Sequence, residues 1–206
     1  MKVTEIELGF VKSFLIETEE GNILVDTGTP GSGKKLIPYL NNVKYVIFTH
    51  SHADHIGGAS EIMNKTNAKF GIHKNGEEYL KKGISRKPMV HSAGLKIASL
   101  FFPLLSRGLK PAKVDFYLED GQEIVRGVKI LYTPGHTDDS ISVFIEPLNS
   151  VIVGDMLQGK GDKLVYPSIY ENLEELVKSV QKILDLKPSF IYVSHGKSNN
   201  ANKVKI

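Results

Sequence analysis

Four apolar runs of the chain each lead into a histidine or an aspartate, and this pattern constrains the fold more than any other feature. The runs are VKYVIF before His50, VKILYT before His136, VIVG before Asp155 and FIYVS before His195. Short apolar runs bounded by turn residues are typical of buried strands. A fold that sets these strands side by side gathers the polar residues at their ends along one edge.

Strands and helices alternate in groups along the chain. Further strands are predicted at VTEIELG, KSFLIET, NILVDTG, AKFGIH, VDFYLED and SISVFIE, and helices at GSGKKLIPYL, GGASEIMNKT and NLEELVKSVQKILDLK. Two strand-rich halves with helices between the groups predict an α/β or α+β class, in which helices cover a sandwich of two sheets. At 206 residues we expect a single domain spanning residues 1–206.

The segment from about residue 79 to 112 breaks this pattern, and we expect a helical insertion there. It carries three prolines and the run LKIASLFFPLLS, which is too short and too interrupted by Pro103 to span a bilayer. The segment suits a lid over an apolar acyl or lactone substrate, core packing, or a contact in a homodimer. The apolar residues in question are Leu95, Ile97, Leu100, Phe101, Phe102, Leu104 and Leu105.

Composition limits the chemistry that the chain can perform. It has no cysteine, so a metal has to be held by His, Asp or Glu, and a cysteine nucleophile is excluded. The formal charge of +3 comes from lysines, with three arginines and no basic and aromatic stripe, so we expect no nucleic-acid partner. The N-terminus lacks the continuous apolar stretch of a signal peptide, and we expect a cytoplasmic protein without a membrane span.

The stretch THSHADHIGG places three histidines and an aspartate within six positions. Residues two apart at the end of an extended strand point to the same side, so His50 and His52 converge on one point. Asp54 and His55 follow a turn and aim at a neighbouring point, a spacing that suits two adjacent ions. A lone histidine after a strand is more often a loop or core residue, but five of the seven histidines occupy such positions. We therefore predict a metal site.

The pattern His50-X-His52-X-Asp54-His55, followed by His136, Asp155 and His195, resembles that of the metallo-β-lactamase superfamily. The stretches VDTG (25–28), TPGHT (133–137) and GD (154–155) fall in the family's order, so the resemblance covers nearly the whole chain. It implies a four-layer αβ/βα sandwich with metals in a cleft at one edge between the two sheets.

The resemblance also implies two divalent ions per chain and a role for each residue of the motif. The first ion would be held by His50, His52 and His136, and the second by Asp54, His55 and His195, with Asp155 bridging the two. Asp26 would orient the motif loop, although a simple turn residue before Gly28 fits the same sequence. Zinc suits such a site, and iron and manganese accept the same ligands.

Activated water is the chemistry that this resemblance implies. Paired ions about 3.5–4 Å apart lower the pKa of a shared water towards about 7, which supplies hydroxide at neutral pH. Asp54 would orient that nucleophile, and we expect a hydrolase acting on a small-molecule thioester, ester or lactone. Tyr166 and Tyr170, in the loop after Asp155, are candidate substrate contacts or, alternatively, buried aromatic packing.

Three other interpretations stay open on the sequence alone. Persulfide dioxygenases share a closely similar TH-X-H-ADH stretch around one iron, so a mononuclear oxidoreductase is the main alternative. A phosphodiesterase or nuclease is less favoured, because the sequence shows no arm that would grip nucleic acid. A catalytically idle metal-binding protein is the third, although all seven ligand positions are filled.

Overall fold

Two six-stranded sheets form the centre of the computed structural model, which describes residues 1–91, 104 and 106–205. The first sheet contains, in spatial order, β1 (Lys2–Glu7), β2 (Lys12–Glu17), β3 (Asn22–Val25), β4 (Val43–Ile47), β5 (Lys69–Ile72) and β6 (Phe116–Tyr117). The second contains β14 (Asn199–Asn200), β13 (Phe190–Tyr192), β10 (Ser150–Ile152), β9 (Ile141–Ile145), β8 (Val128–Tyr132) and β7 (Glu123–Val125). A hairpin of β11 (Gln158–Lys160) and β12 (Lys163–Val165) stands apart from both sheets.

Strand direction explains why the polar strand ends meet. In the first sheet β3, β4, β5 and β6 are parallel, so the residues that follow β3 and β4 emerge at the same edge. In the second sheet β10 and β13 are parallel, and β8 shares their direction because β9 is antiparallel to both β8 and β10. The ends of β8, β10 and β13 therefore also lie at one edge of their sheet.

Helices cover the outer faces of both sheets. Four short helices, α1 (Gly33–Leu36), α2 (Ala53–Ile56), α3 (Ala59–Ile62) and α4 (Glu77–Lys82), accompany the first sheet. The longer α5 (Leu173–Asp185) packs on the second. It begins where the Asn172 side chain accepts a hydrogen bond of 3.2 Å from the backbone N–H of Glu175, a common way to satisfy the first turn of a helix.

Three apolar cores separate the four layers. Neighbouring residues of a strand point to opposite faces, so Leu24 packs among the helices while Ile23 and Val25 pack between the sheets. In β10, likewise, Ile152 faces the first sheet and Val151 faces α5. This arrangement confirms the predicted αβ/βα sandwich.

The predicted helical insertion lies partly outside the described residues, which lack positions 92–103 and 105 of it. The structure ends α4 at Lys82 and continues without regular structure through residues 83–91, apart from an isolated antiparallel bridge between Val90 and Ile169. The apolar run proposed as a lid, a core element or a dimer contact falls on positions that are not described, except for Leu104. None of the described helices is both long and apolar enough to cross a membrane.

Candidate metal centre

Three histidine side chains form a buried triangle where β4 and β8 end, and we call His50, His52 and His136 the three-histidine group. His50 Nε2 lies 3.0 Å from His52 Nδ1, and His136 Nε2 lies 3.2 Å and 3.1 Å from these two nitrogens. Nitrogens bound to one tetrahedral ion at about 2.0–2.1 Å stand about 3.3 Å from each other. The triangle is therefore close to the size that three ligands of a single ion require.

A second set of donors lies beside the first, and we call Asp54, His55 and His195 the mixed group. His195 Nε2 is 3.3 Å from Asp54 Oδ2, and His55 Nε2 is 3.9 Å from Asp54 Oδ1. The side chains of Asp54 and His195 are 17% and 26% exposed, whereas the three-histidine group is almost completely buried. The mixed group thus forms the more accessible side of the centre.

Asp155 lies between the two groups and reaches both of them. Its Oδ2 is 3.6 Å from His136 Nε2 and 4.0 Å from His50 Nε2 on one side, and 3.2 Å from His195 Nε2 on the other. Its Oδ1 is 3.3 Å from His55 Nε2. A single carboxylate at this position is able to donate one oxygen to each of two neighbouring ions.

Two buried atoms test whether the residues fit a metal ion. Within the described part of the chain, His55 Nε2 and Asp155 Oδ1 are inaccessible to solvent and have no hydrogen-bond partner, although they face each other. Buried polar atoms are normally paired, and a cation bound by both would satisfy them. Imidazoles with carboxylates and no thiolate suit zinc, iron or manganese. The donor set therefore fits divalent transition metals.

The surroundings of the two groups move the histidine pKa values in opposite directions. Burial lowers the pKa of His50 well below its usual value, lowers that of His136 and brings that of His52 to about 3, with neighbouring imidazoles adding to the effect at His50 and His52. Burial also opposes the charge on His195, but Asp155 and Asp54 outweigh it and raise the pKa to about 10. The same balance raises the pKa of His55 well above its usual value, through Asp155, Asp26 and Asp54.

Asp26 and Thr49 hold the histidine motif in place through buried hydrogen bonds. The buried Asp26 carboxylate accepts hydrogen bonds from the Thr49 backbone N–H at 2.8 Å, the Thr49 hydroxyl at 2.7 Å and His55 Nδ1 at 2.8 Å. Asp26 adopts a left-handed backbone conformation with φ 61°, which bends the chain at the end of β3 and brings its side chain under the loop. These bonds support the predicted orienting role of Asp26.

Backbone carbonyls orient two further imidazoles. His136 Nδ1 lies 2.7 Å from the carbonyl oxygen of Ile169, and His195 Nδ1 lies 2.9 Å from that of Phe10. A carbonyl accepts only, so each Nδ1 carries the proton and donates it. Both rings therefore turn Nε2 towards the centre, the second-sphere arrangement that metal-binding histidines commonly show.

A cleft of about 700 Å³ opens over the centre. Its floor contains donors from both groups together with Asp155, and polar side chains such as Ser168 and Gln158 lie around them. Much of the wall is apolar, formed by Phe10, Ile84, Pro88, Leu109, Pro167 and Ile169. A volume of this size accommodates a small molecule.

All seven predicted metal ligands come together, whereas the two predicted substrate contacts lie beside the cleft. The rings of Tyr166 and Tyr170 pack against the core that contains α5, and Tyr170 also stacks on His91 with ring centres 4.0 Å apart. The residues between them, Pro167 to Ile169, are the ones that line the cleft. Contact of either tyrosine with a substrate stays a prediction.

Sequence reasoning missed three residues that shape the centre: Thr49, Phe10 and Arg86. The Thr49 hydroxyl lies within 3.1 Å and 3.3 Å of the Nδ1 atoms of His50 and His55, besides donating to Asp26. The ring of Phe10 stacks on His195. Arg86 is buried among acidic residues and contacts Ser51, which stands between His50 and His52. The position of Thr49, directly before the first histidine, is the one signal in the sequence that could have found any of them.

The chain belongs to the metallo-β-lactamase superfamily, since the family model with that description matches residues 6–195. A relative from Caenorhabditis elegans, a Beta-lactamase-like protein 2 homolog, is 29% identical over 198 residues, which are 89% of this chain and 55% of the relative. An N-acyl homoserine lactonase from Bacillus thuringiensis is 28% identical over 169 residues, 65% of this chain and 57% of the lactonase. The chain thus spans little more than half of either relative.

A solved structure shows the same fold along almost the whole chain. The protein TTHA1623, in a di-iron-bound form, is similar with a TM-score of 0.71 at 21% sequence identity. The match covers 96% of this chain and 94% of that one. The family assignment and this likeness agree with the resemblance that the histidine motif suggested.

Proposed function

We propose that the chain is a metal-dependent hydrolase with a dinuclear centre, and that it cleaves a thioester, an ester or a lactone of a small molecule. One observation supports this most strongly: Asp155 lies within 4.0 Å of donors from both groups, so one carboxylate connects two complete sets of ligands. The three-histidine group would hold the first ion and the mixed group the second, with zinc preferred for both.

Different residues would have different roles in such a reaction. Bound ions of this kind supply hydroxide at neutral pH and positive charge opposite a developing oxyanion. Asp54 lies at the floor of the cleft with part of its carboxylate exposed, and we assign it to accept a hydrogen bond from the attacking water and so aim it. The hydrogen bonds of Asp26, Ile169 and Phe10 hold the imidazoles still while the substrate binds.

The cleft supports an acyl substrate. Its apolar walls suit a hydrocarbon portion, while the donors on the floor face the bond to be broken. In the described part of the chain, Arg86 and Lys87 are the basic side chains of the lining, apart from histidines, and the Arg86 guanidinium is engaged with acidic partners. The lining therefore offers few of the lysine and arginine contacts by which proteins hold the phosphate backbone of a nucleic acid. The lactonase relative adds support for an acyl or lactone substrate.

A substrate panel tests this proposal. We expect the metal-loaded protein to release thiol from acyl thioesters or to open lactones, and to be inactive towards phosphodiesters. The variant Asp54→Asn should lose most of its turnover while keeping its fold. Asp185→Asn, at the exposed end of α5, is the matched control and should behave like the unmodified protein.

The same panel includes the main alternative, an iron-dependent oxidation of persulfides. Oxygen consumption with a persulfide by protein that holds one iron, without hydrolysis of any ester, would replace the proposed function. Hydrolysis of phosphodiesters alone would favour the nuclease alternative. Turnover by Asp54→Asn equal to that of the unmodified protein would contradict the role assigned to Asp54.

A further inference from the structure

Arg86 is buried on the segment that follows α4, where its guanidinium has five partner residues. Its Nε lies 3.2 Å from Ser51 Oγ and 3.4 Å from Asp139 Oδ1. Its Nη1 lies 2.9 Å from Glu171 Oε1, and its Nη2 lies 2.5 Å from Asp138 Oδ1 and 3.3 Å from the Asn75 carbonyl. One guanidinium thus joins four stretches of chain that are distant in sequence.

The loop of residues 50–52 is the first stretch that Arg86 holds. Ser51 stands between His50 and His52, so any movement of Ser51 moves two of the three histidines. Arg86 contacts it twice, because the Arg86 backbone N–H donates to the Ser51 carbonyl at 3.1 Å and the side chain reaches the Ser51 hydroxyl.

The loop of His136 is held from the other side. Asp138 and Asp139, which bond to Arg86, follow His136 by two and three positions. Glu171 completes the connection, because its backbone N–H donates to the His136 carbonyl at 3.0 Å and its carboxylate accepts from the Asp138 backbone N–H at 2.9 Å. The guanidinium therefore lies between the two loops that together supply the triangle of nitrogens.

Charge explains why an arginine occupies this place. The Asp139 side chain is fully buried, and within the described residues its two oxygens have no hydrogen bond and only the ion pair with Arg86. A buried carboxylate without a counter-charge is costly, so Asp139 holds Arg86 in place. A planar guanidinium reaches several acceptors in fixed directions, which the single ammonium of a lysine does not do.

We propose that Arg86 is a positioning residue for the three-histidine group: it locks the His50–His52 loop to the His136 loop and sets the spacing of the first metal site. The inference rests on the metal centre of the proposed function. It has a second consequence, because residues 83–88 also line the cleft. Arg86 therefore connects one wall of the proposed substrate cleft to the two loops that would hold the first ion.

The test measures binding of Co²⁺ to the metal-free protein, by calorimetry and by the visible absorption of the bound ion. Arg86→Met leaves Asp139 without its counter-charge and is prone to unfold, so the decisive variants are Arg86→Met with Asp139→Asn, and Arg86→Lys. The double variant removes the connection between the loops without leaving a fully buried carboxylate unpaired, since Asp138 and Glu171 are both partly exposed. Arg126→Met, at an exposed arginine in the turn between β7 and β8, is the control.

We expect the double variant to bind the first Co²⁺ about 10-fold or more weakly, in the range found when an outer partner of a metal ligand is removed. Its absorption spectrum should change, Arg86→Lys should weaken binding less, and Arg126→Met should match the unmodified protein. A double variant that binds with unchanged affinity and spectrum would overturn the inference, even if its resistance to urea falls, because Arg86 would then only stabilise the fold. If the unmodified protein bound no Co²⁺, the metal centre itself would be wrong, and the inference would fall with it.

Discussion

The three-histidine group and the mixed group lie side by side, yet their histidines differ in charge before a metal binds: those of the first are neutral and those of the second are protonated. In the first, burial and mutual repulsion keep imidazoles neutral, with the pKa of His52 at about 3. In the second, the carboxylates of Asp54 and Asp155 overcome burial and keep His195 protonated, with a pKa of about 10. The comparison shows that burial keeps a histidine neutral here unless neighbouring carboxylates outweigh it.

Because their histidines differ in charge, the two groups should differ in how readily they bind a metal ion. The three-histidine group is ready to bind, since neutral imidazole is the form that ligates a metal. In the mixed group, protons on His55 and His195 take the place of a metal's positive charge and have to leave before an ion enters. We therefore expect two ions of unequal affinity, with the weaker ion on the more exposed side.

Asp155 is the point that the two groups share, so changing it should have the largest effect. Asp155→Asn keeps the size of the side chain but removes the charge next to His55 and His195. We expect the affinity for both ions to fall by more than about 100-fold, beyond the loss seen for outer partners of ligands. Titration of the metal-free protein with Zn²⁺ measures this, and loss of only one ion would contradict a shared carboxylate.

One histidine from each group separates their contributions. His52→Asn removes a buried ligand of the three-histidine group and should abolish binding of the tighter ion. His195→Asn removes a partly exposed ligand of the mixed group and should leave that tighter ion bound. Elemental analysis after dialysis should then show fewer ions in the first variant than in the second. Loss of both ions in both variants would mean that the groups do not bind independently.

Asp26 supports the motif without facing the cleft, so its effect should be smaller. Asparagine tolerates the left-handed backbone at this position, but it cannot accept from Thr49 and His55 at the same time as the carboxylate does. We expect Asp26→Asn to weaken metal binding by about 10- to 100-fold. Unchanged binding in this variant would assign Asp26 to the fold of the β3 turn alone.

The pH dependence of metal binding should distinguish the groups without any substitution. The raised pKa values of His55 and His195 mean that an ion displaces protons from the mixed group, so its affinity should rise about tenfold per pH unit for each proton released. The lowered pKa of His52 means that the three-histidine group should bind almost equally well between about pH 6 and pH 8. Calorimetry in two buffers of different ionisation enthalpy counts the protons. Equal release at both sites would contradict the comparison.

Much of the centre follows from the sequence because its ligands terminate strands. The apolar pattern of a strand predicts where the strand ends, so the sequence alone predicts that His136, Asp155 and His195 follow strand ends. We expected a sandwich to gather such ends at one edge, and the strand pairing shows that β8, β10 and β13 run in one direction. The layers of the fold are predictable for the same reason, since alternate residues of each strand face different cores.

The surroundings of the ligands could not be predicted from the sequence. Arg86 meets Ser51 and Glu171 across 35 and 85 residues of chain, and no local pattern predicts such long-range pairs. Phe10 and His195, which contact each other, are even further apart in the chain, at 185 residues. The hairpin of β11 and β12 was missed because its short strands, with glycine at position 159, lack an apolar pattern.

Anomalous diffraction from crystals grown with Zn²⁺ tests most directly whether two ions share Asp155. We predict two peaks on either side of the Asp155 carboxylate, one within bonding distance of His50, His52 and His136 and the other of Asp54, His55 and His195. The stronger peak should lie at the three-histidine group. A single peak, or peaks away from these residues, would contradict the dinuclear centre.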